Sequence, residues 1–289
     1  MYDFKTWLDS KNPEKFLDDV RTGDKTLNQI ALNHNSPEIL KKILSHPKVG
    51  ESTLPTILKK SLKNNWDTIT KSAIQHDNNN DSSLSAMVSH IVNAPHDFNN
   101  SFLHPTVDHD NLLHHIVDHK HAGPQTFGYI SRNTNNPILH NKIVDNEKAT
   151  DYNLRDIANN THDKNIIDKI IKHKNVSDVP LSALADQKKV SINTLINHPK
   201  TSDHTLAAIA SHTSDPNIHN KLLDHKKSGE STTDAITERS DDPKIHNRIV
   251  ENPNTSAKGL YNIMRKNTDP EIHKKILQHK NSMYYDVYS

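Results

Sequence analysis

Pairs of apolar residues recur along this chain at a fixed distance behind a short polar loop. Each loop begins at a histidine or an asparagine, which we call the marker residue. Eight and eleven residues after the marker come apolar pairs such as Leu154/Ile157 and Leu206/Ile209. This spacing places both side chains on one face of a helix, so the pattern predicts a short first helix after each loop. The markers are His46, His119, Asn146, His173, His198, His225, Asn252 and His279.

A second helix is predicted later in five of the periods by a small polar residue followed by proline. Asp242–Pro243 is one example, and Ile245, Ile249 and Val250 follow it with helical spacing. The polar side chain can accept a hydrogen bond from the first helical turn, where proline loses no hydrogen bond of its own. Equivalent dipeptides are Ser36–Pro37, Asn136–Pro137, Asp215–Pro216 and Asp269–Pro270.

The two helices together predict an all-α fold of stacked repeats. From His119 to His279 the markers are 27, 27, 25, 27, 27 and 27 residues apart. One short helix pair cannot bury its own apolar face, whereas stacked pairs share a continuous core. We therefore predict an α-solenoid of about ten two-helix repeats with a period near 27 residues.

The predicted solenoid has distinct ends and one weaker stretch. It covers residues 19–282, and its units between 47 and 118 are degenerate because they keep the apolar rhythm but lack the polar–proline caps. Residues 1–18 contain Phe4 and Trp7 and are predicted to form an N-terminal capping helix. Residues 283–289 form a tyrosine-rich C-terminal tail.

The repeat columns resemble those of a known class of proteins. "HPKTSDHTLAAIASHTSDPNIHNKLLDH" (198–225) and "NPNTSAKGLYNIMRKNTDPEIHKKILQH" (252–279) resemble variant leucine-rich repeats and short HEAT-like repeats. The resemblance covers roughly residues 20–282, but these units are longer than usual variant leucine-rich repeats and lack their cysteines. It implies an α-solenoid with a binding role, and it transfers no catalytic residue.

Composition narrows the possible functions. The chain has 36 Lys+Arg against 35 Asp+Glu, a balance that argues against a protein built mainly to coat nucleic acid. It has no cysteine, which excludes disulfides, Cys-ligated zinc and thiol nucleophiles. No apolar run approaches the length of a membrane span. These features predict a cytoplasmic protein with no membrane partner, or a virion protein if the source is viral.

The histidines are predicted to be structural. Asn146 and Asn252 replace histidine at the marker, and a second histidine column is filled by Leu40 and Ile167 in other repeats. A column shared with aliphatic residues indicates a packed position and not a metal ligand. This second column consists of His140, His219, His246 and His273.

One histidine cluster invites a metal-binding alternative. His115 and His119 are four residues apart on one predicted helix face, close to His114, Asp118 and His121. Such a pair could bridge a zinc or nickel ion. The cluster lacks the glutamate of an HExxH motif, so we predict neither a metal nor another cofactor here.

No catalytic motif is present. The sequence contains no G-x-S-x-G, P-loop or G-x-G-x-x-G motif, and it has only six glycines for phosphate-binding loops. We therefore predict a protein that is not an enzyme and has no catalytic residues.

A column of basic residues, here called the ladder, is the main candidate binding feature. Acidic residues follow three positions later at Asp145, Asp224 and Glu251, where i, i+3 ion pairs would partly neutralise it. The ladder is open to three interpretations: a solvated face, a track for a nucleic-acid backbone, or an alternating-charge surface for a protein partner. The ladder consists of Lys142, Lys169, Lys221, Arg248 and Lys275, and Lys42 holds the same place in an earlier repeat.

The sequence thus favours a binding protein. Tyr284, Tyr285 and Tyr288 of the tail either cap the final repeat or dock into a partner. The leading hypothesis is a non-enzymatic protein-binding scaffold or a structural component of a larger assembly. The chain is rich in Asn, Lys and Ile, a composition that is compatible with an AT-rich genome. A phage or viral structural protein is therefore one form of this hypothesis. The alternative is a HEAT-like solenoid that binds nucleic acid through the ladder.

Overall fold

Helices form all the regular structure that the computed structural model shows in residues 13–93 and 108–282, the residues that it describes. The predicted all-α fold is confirmed for these residues. The chain divides into two units, Met1–Ala149 and Thr150–Ser289. The first contains α1 (Glu14–Leu17), α2 (Asp24–Asn33), α3 (Pro37–Leu44), α4 (Thr53–Lys63), α5 (Asp67–Ile74), α6 (Asp81–Val92), α7 (His109–Val117), α8 (Pro124–Asn133) and α9 (Pro137–Val144).

The second unit continues the alternation of helices. It contains α10 (Asp151–Asn160), α11 (Lys164–Lys172), α12 (Asp178–Asp186), α13 (Ile192–Ile196), α14 (Asp203–Ser211), α15 (Pro216–Asp224), α16 (Glu230–Arg239), α17 (Pro243–Val250), α18 (Ala257–Lys266) and α19 (Pro270–Gln278). From α4 onward, even-numbered helices follow a histidine or asparagine loop in the manner predicted for first helices, and odd-numbered helices are the second helices; α2 and α3 form an earlier pair of the same kind.

Helices of the same kind pack side by side within each unit. In the first unit α2, α4, α6 and α8 each contact the next, as do α3, α5, α7 and α9. In the second unit the first helices α10, α12, α14, α16 and α18 form the same series, and α17 lies between α15 and α19. Each helix pair is therefore covered by its neighbours, which is how short amphipathic helices become stable.

The apolar columns form the core, as their spacing predicts. On α14, Leu206 and Ile209 are buried, and Leu260 and Ile263 are buried at the equivalent positions of α18. On the second helix α17, Ile245, Ile249 and Val250 are buried too. These residues belong to one continuous apolar cluster of the second unit. Burying each such side chain contributes roughly 1.5–3 kcal/mol.

The polar–proline dipeptides begin the second helices. Asp215, Asp242 and Asp269 each accept a hydrogen bond from the N–H two residues later, at 2.8, 2.8 and 2.9 Å. Proline occupies the first helical position after each of them. The predicted starts of α15, α17 and α19 are confirmed.

The stretch predicted to be degenerate contains caps of another kind. Asn80 caps α6 and forms a reciprocal capping box with Ser83. Asp108 accepts a hydrogen bond from the N–H of Asn111 at the start of α7. Neither cap is followed by proline, so the polar–proline pattern did not reveal them. Of the predicted end segments, residues 1–12 and 283–289 lie outside the described residues, and α1 is the described helix of the N-terminal segment.

Replacing Asp242 with alanine tests one of these caps. The variant should lose about 1 kcal/mol of unfolding free energy, because the first turn of α17 loses its side-chain acceptor. A urea titration monitored by circular dichroism measures the loss. Asp241→Ala, at an exposed neighbouring carboxylate, is the matched control and should change stability by less than about 0.5 kcal/mol. Equal effects of the two substitutions would contradict the cap.

Candidate binding surface

The marker side chains close their own loops. His198 accepts a hydrogen bond at Nδ1 from the N–H of Lys200 (3.1 Å), and the Oδ1 atom of Asn146 accepts one from the N–H of Lys148 (2.9 Å). Imidazole Nδ1 and amide Oδ1 are both acceptors at a similar reach from the backbone. This shared role explains why histidine and asparagine alternate in the marker column.

Several marker histidines also join adjacent repeats. The Nε2 atom of His198 lies 3.1 Å from the carbonyl oxygen of Ile171, and that of His279 lies 3.0 Å from the carbonyl oxygen of Asn252. A carbonyl only accepts, so Nε2 must bear the proton while Nδ1 accepts. His76 makes both bonds, to Leu44 and to its own loop, although its irregular spacing hid it from the sequence columns.

Three of the four histidines of the second column lie in the core. His140, His219 and His246 are buried, and their Nε2 atoms lie 2.8–3.1 Å from the carbonyl oxygen six residues earlier. Each ring therefore ties its second helix to the turn that precedes it. The structural role predicted for this column is confirmed by these contacts.

Two residues of the cluster around 114–121 make the same loop contact as the other markers. His119 accepts a hydrogen bond at Nδ1 from the N–H of His121 (3.2 Å), and the two rings are 5.6 Å apart. In the described parts of the chain, no three histidine, aspartate or glutamate side chains are placed to hold a metal ion. The prediction that this protein binds no metal or cofactor stays a prediction.

An aspartate of one first helix caps the first helix of the next repeat. Asp203, at the start of α14, accepts hydrogen bonds from the N–H groups of Gly229 (2.7 Å), Ser231 (2.9 Å) and Thr232 (3.1 Å). It also accepts one from the Thr232 hydroxyl. Burial alone would raise the pKa of this carboxyl, but the Thr232 hydroxyl and the three N–H groups together lower it. The carboxylate thus supplies the cap that Gly229 cannot.

The same arrangement recurs wherever the sequence reads Gly-x-x-Thr after an earlier first helix. Asp24 accepts from the N–H groups of Gly50 and Ser52, and Asp81 accepts from those of Gly123 and Gln125. The threonine hydroxyl donates to the aspartate in both cases. Where serine replaces the glycine, the aspartate accepts from the serine hydroxyl instead, as with Asp178 and Ser202. Sequence reasoning missed these residues, and the paired Asp and Gly-x-x-Thr columns were the available signal.

Three ladder residues pair with a carboxylate of the preceding repeat. Lys142 binds Asp118 at 2.6 Å, Arg248 binds Asp224 at 2.6 Å, and Lys275 binds Glu251 at 2.7 Å. Each carboxylate lies 24 residues before its cation. The i, i+3 pairing predicted for Asp224 and Glu251 is therefore wrong. A cation at this position reaches towards the second helix of the preceding repeat, so its carboxylate partner belongs to that repeat.

These ion pairs reduce the net positive charge along the ladder. Three of its five cations already face a carboxylate, and Lys275 also donates to the side-chain oxygen of Asn247 (2.7 Å). Lys169 lies on α11 and the exposed Lys221 on α15, at the equivalent helical position. A row of neutralised cations is a weaker match to a polyphosphate than a uniformly basic track.

Exposed tyrosines with an arginine over the ring lie on three first helices. The guanidinium carbon is 5.7 Å from the ring centre for Arg132/Tyr129 on α8, 5.2 Å for Arg155/Tyr152 on α10, and 5.6 Å for Arg265/Tyr261 on α18. The tyrosines are 39%, 59% and 45% exposed. We call these three the Tyr–Arg pairs. Their i, i+3 or i, i+4 spacing was the sequence signal for them.

The remaining candidate residues fall outside this surface. Tyr284, Tyr285 and Tyr288 lie beyond the described residues, so their two predicted roles stay predictions.

Within residues 13–93 and 108–282, no helix has both the length and the apolar character needed to cross a bilayer.

The resemblance to variant leucine-rich and short HEAT-like repeats rests on the sequence columns. The contacts between repeats are seen in the structure of this chain and do not depend on that resemblance. In comparisons with known proteins, no family model, no curated protein and no solved structure matches the chain.

Proposed function

We propose that this chain is a non-enzymatic protein-binding scaffold or a structural component of a larger assembly. The proposed architecture is an α-solenoid of about ten two-helix repeats with a period near 27 residues. It is supported by the side-by-side packing of first helices and of second helices within each unit. It is further supported by recurring bonds between residues 24–29 positions apart. A phage or virus is one source in which such a component would occur.

The Tyr–Arg pairs are the observation on which the proposed function chiefly rests. Tyrosine and arginine are enriched among the residues that dominate protein–protein binding energy. A tyrosine loses little side-chain entropy on binding, and a guanidinium stacked on its ring is held in place while its N–H edge stays available to a partner. An exposed pair of this kind suits recognition of a folded protein surface.

The ladder supplies a second part of the proposed surface. Lys142, Lys169, Lys221, Arg248 and Lys275 alternate with carboxylates, and such rim charges act mainly on association rate and specificity. Tyr284, Tyr285 and Tyr288 are proposed to contact the partner as well. Three ladder cations already bind carboxylates, which makes the ladder a weaker match to a nucleic-acid backbone than to a protein surface of mixed charge.

Capture from the native source tests the proposal. Wild-type protein and Tyr152→Ala/Tyr261→Ala are used as baits, and recovered proteins are quantified by mass spectrometry. Loss of two hot-spot side chains should lower recovery of the specific partner at least about tenfold. Tyr152→Phe/Tyr261→Phe keeps both rings under their arginines and is the matched control, with near-wild-type recovery expected. Equal recovery by all three baits would refute the role of these pairs, and nuclease-sensitive recovery of nucleic acid would favour the alternative.

A further inference from the structure

Two buried imidazoles each have one ring nitrogen without a partner. His140 on α9 and His219 on α15 are fully buried. Their Nε2 atoms lie 2.8 and 3.1 Å from the carbonyl oxygens of Thr134 and Thr213. Their Nδ1 atoms are buried and have no hydrogen-bond partner. A neutral ring protonated at Nε2 fits this site, because an unprotonated Nδ1 needs no acceptor.

A second proton does not fit the same site. It would bind Nδ1 and place a charged donor in the core with no acceptor, which is costly. Burial lowers the pKa of both histidines below its ordinary value, although the bonded carbonyl opposes this change. The charged groups that act on His219 are Asp215 and Asp242, and their opposing effect is smaller than that of burial. The Thr134 carbonyl is the group that opposes burial at His140.

His119 disfavours a second proton for a different reason. The Nδ1 atom of His119 accepts a hydrogen bond from the N–H of His121. A proton on Nδ1 would make it a donor that faces the His121 N–H donor, and the hydrogen bond would be lost. Burial is the main cause that lowers its pKa. His121 and Lys120 lower it further, whereas Asp77 and a backbone hydrogen bond with His76 raise it.

We propose that His119, His140 and His219 make the protein sensitive to mild acid, so that their protonation loosens the loop at His119 and the turns that precede α9 and α15. This loosening would occur between neutral and mildly acidic pH, where histidine ordinarily gains its second proton.

The direction of the effect follows from proton linkage. The folded pKa of these histidines lies below the ordinary 6.5, so as pH falls the unfolded chain binds protons first. Their contribution to stability is fully present above the unfolded pKa and is lost as pH falls through 6.5 towards the folded value. Below the folded value both states are protonated, and these groups cause no further loss.

The chain itself supplies the variant that should abolish this sensitivity. Leu40 and Ile167 occupy the second histidine column in other repeats, and Asn146 occupies the marker column. His119→Asn/His140→Leu/His219→Leu therefore uses only residues that the protein already accepts at equivalent positions. His162→Gln/His204→Gln removes two exposed histidines and is the matched control.

Urea unfolding of the full chain at about pH 7.5 and about pH 5.5 tests the proposal. The wild type should unfold at a lower urea midpoint at the lower pH, and the control variant should show the same fall. The triple variant should show a clearly smaller fall, whatever its midpoint at the higher pH. A triple-variant fall equal to that of wild type, or a wild-type midpoint that does not change with pH, would overturn the proposal.

Discussion

Replacing Asp203 with alanine should cost the protein about 3 kcal/mol of unfolding free energy. The carboxylate accepts three N–H groups and one hydroxyl from the start of α16, and alanine leaves these donors without their acceptor. Loss of an N-cap costs up to about 2 kcal/mol, and removing hydrogen bonds to a charged acceptor adds to it. The change should appear as a lower midpoint in urea unfolding with little change in slope.

Two further variants make the test specific. Asp203→Asn retains one side-chain oxygen and should give an intermediate loss. Asp168→Ala removes an exposed carboxylate from α11 and should change stability by less than about 0.5 kcal/mol. If Asp203→Ala were as mild as Asp168→Ala, the cap between repeats would not contribute to stability.

Replacing Gly229 with alanine should cost about 2 kcal/mol, because the new methyl group collides with the capping carboxylate. A β-carbon at this position would lie 2.9 Å from Oδ2 of Asp203 and 3.0 Å from its Cγ. The carboxylate is held by the hydrogen bonds of the cap and cannot move without breaking them. Gly229 has φ −134°, so the expected cost is one of space and not of backbone strain.

Gly23 is the matched control within the same chain. It also precedes a first helix, its φ is −85°, and a β-carbon there would meet no atom within 4 Å. Gly23→Ala should therefore leave stability within about 0.5 kcal/mol of wild type. Thermal or urea unfolding of both variants gives the comparison, and a similar cost at the two glycines would contradict the close approach of Asp203.

Features within one repeat could be predicted from the sequence. Asp242–Pro243 identified the start of α17 because a cap and a proline act on their own helix. The interchange of histidine with asparagine and with aliphatic residues correctly indicated structural histidines. Their actual bonds, such as Nε2 of His198 to the carbonyl of Ile171, could not be inferred from the residue type.

Features that join two repeats were missed or misassigned. Asp224 looked like an i, i+3 partner of Lys221, yet it binds Arg248 from the following repeat. Equivalent positions in the sequence show which residues recur, but they do not show whether a side chain contacts its own repeat or a neighbouring one. The pairing of Asp203 with Gly229 was hidden for the same reason, since the two residues belong to different columns.

Amide hydrogen exchange is the most direct test of the bonds between repeats. The N–H groups of Gly229, Ser231 and Thr232 are bonded to a carboxylate 26–29 residues earlier. In Asp203→Ala these amides should exchange faster than in wild type, while those of Gly50 and Ser52, which bind Asp24, should keep their protection. Unchanged exchange at residues 229–232, or an equal increase at both sites, would contradict the claim that one repeat caps the next.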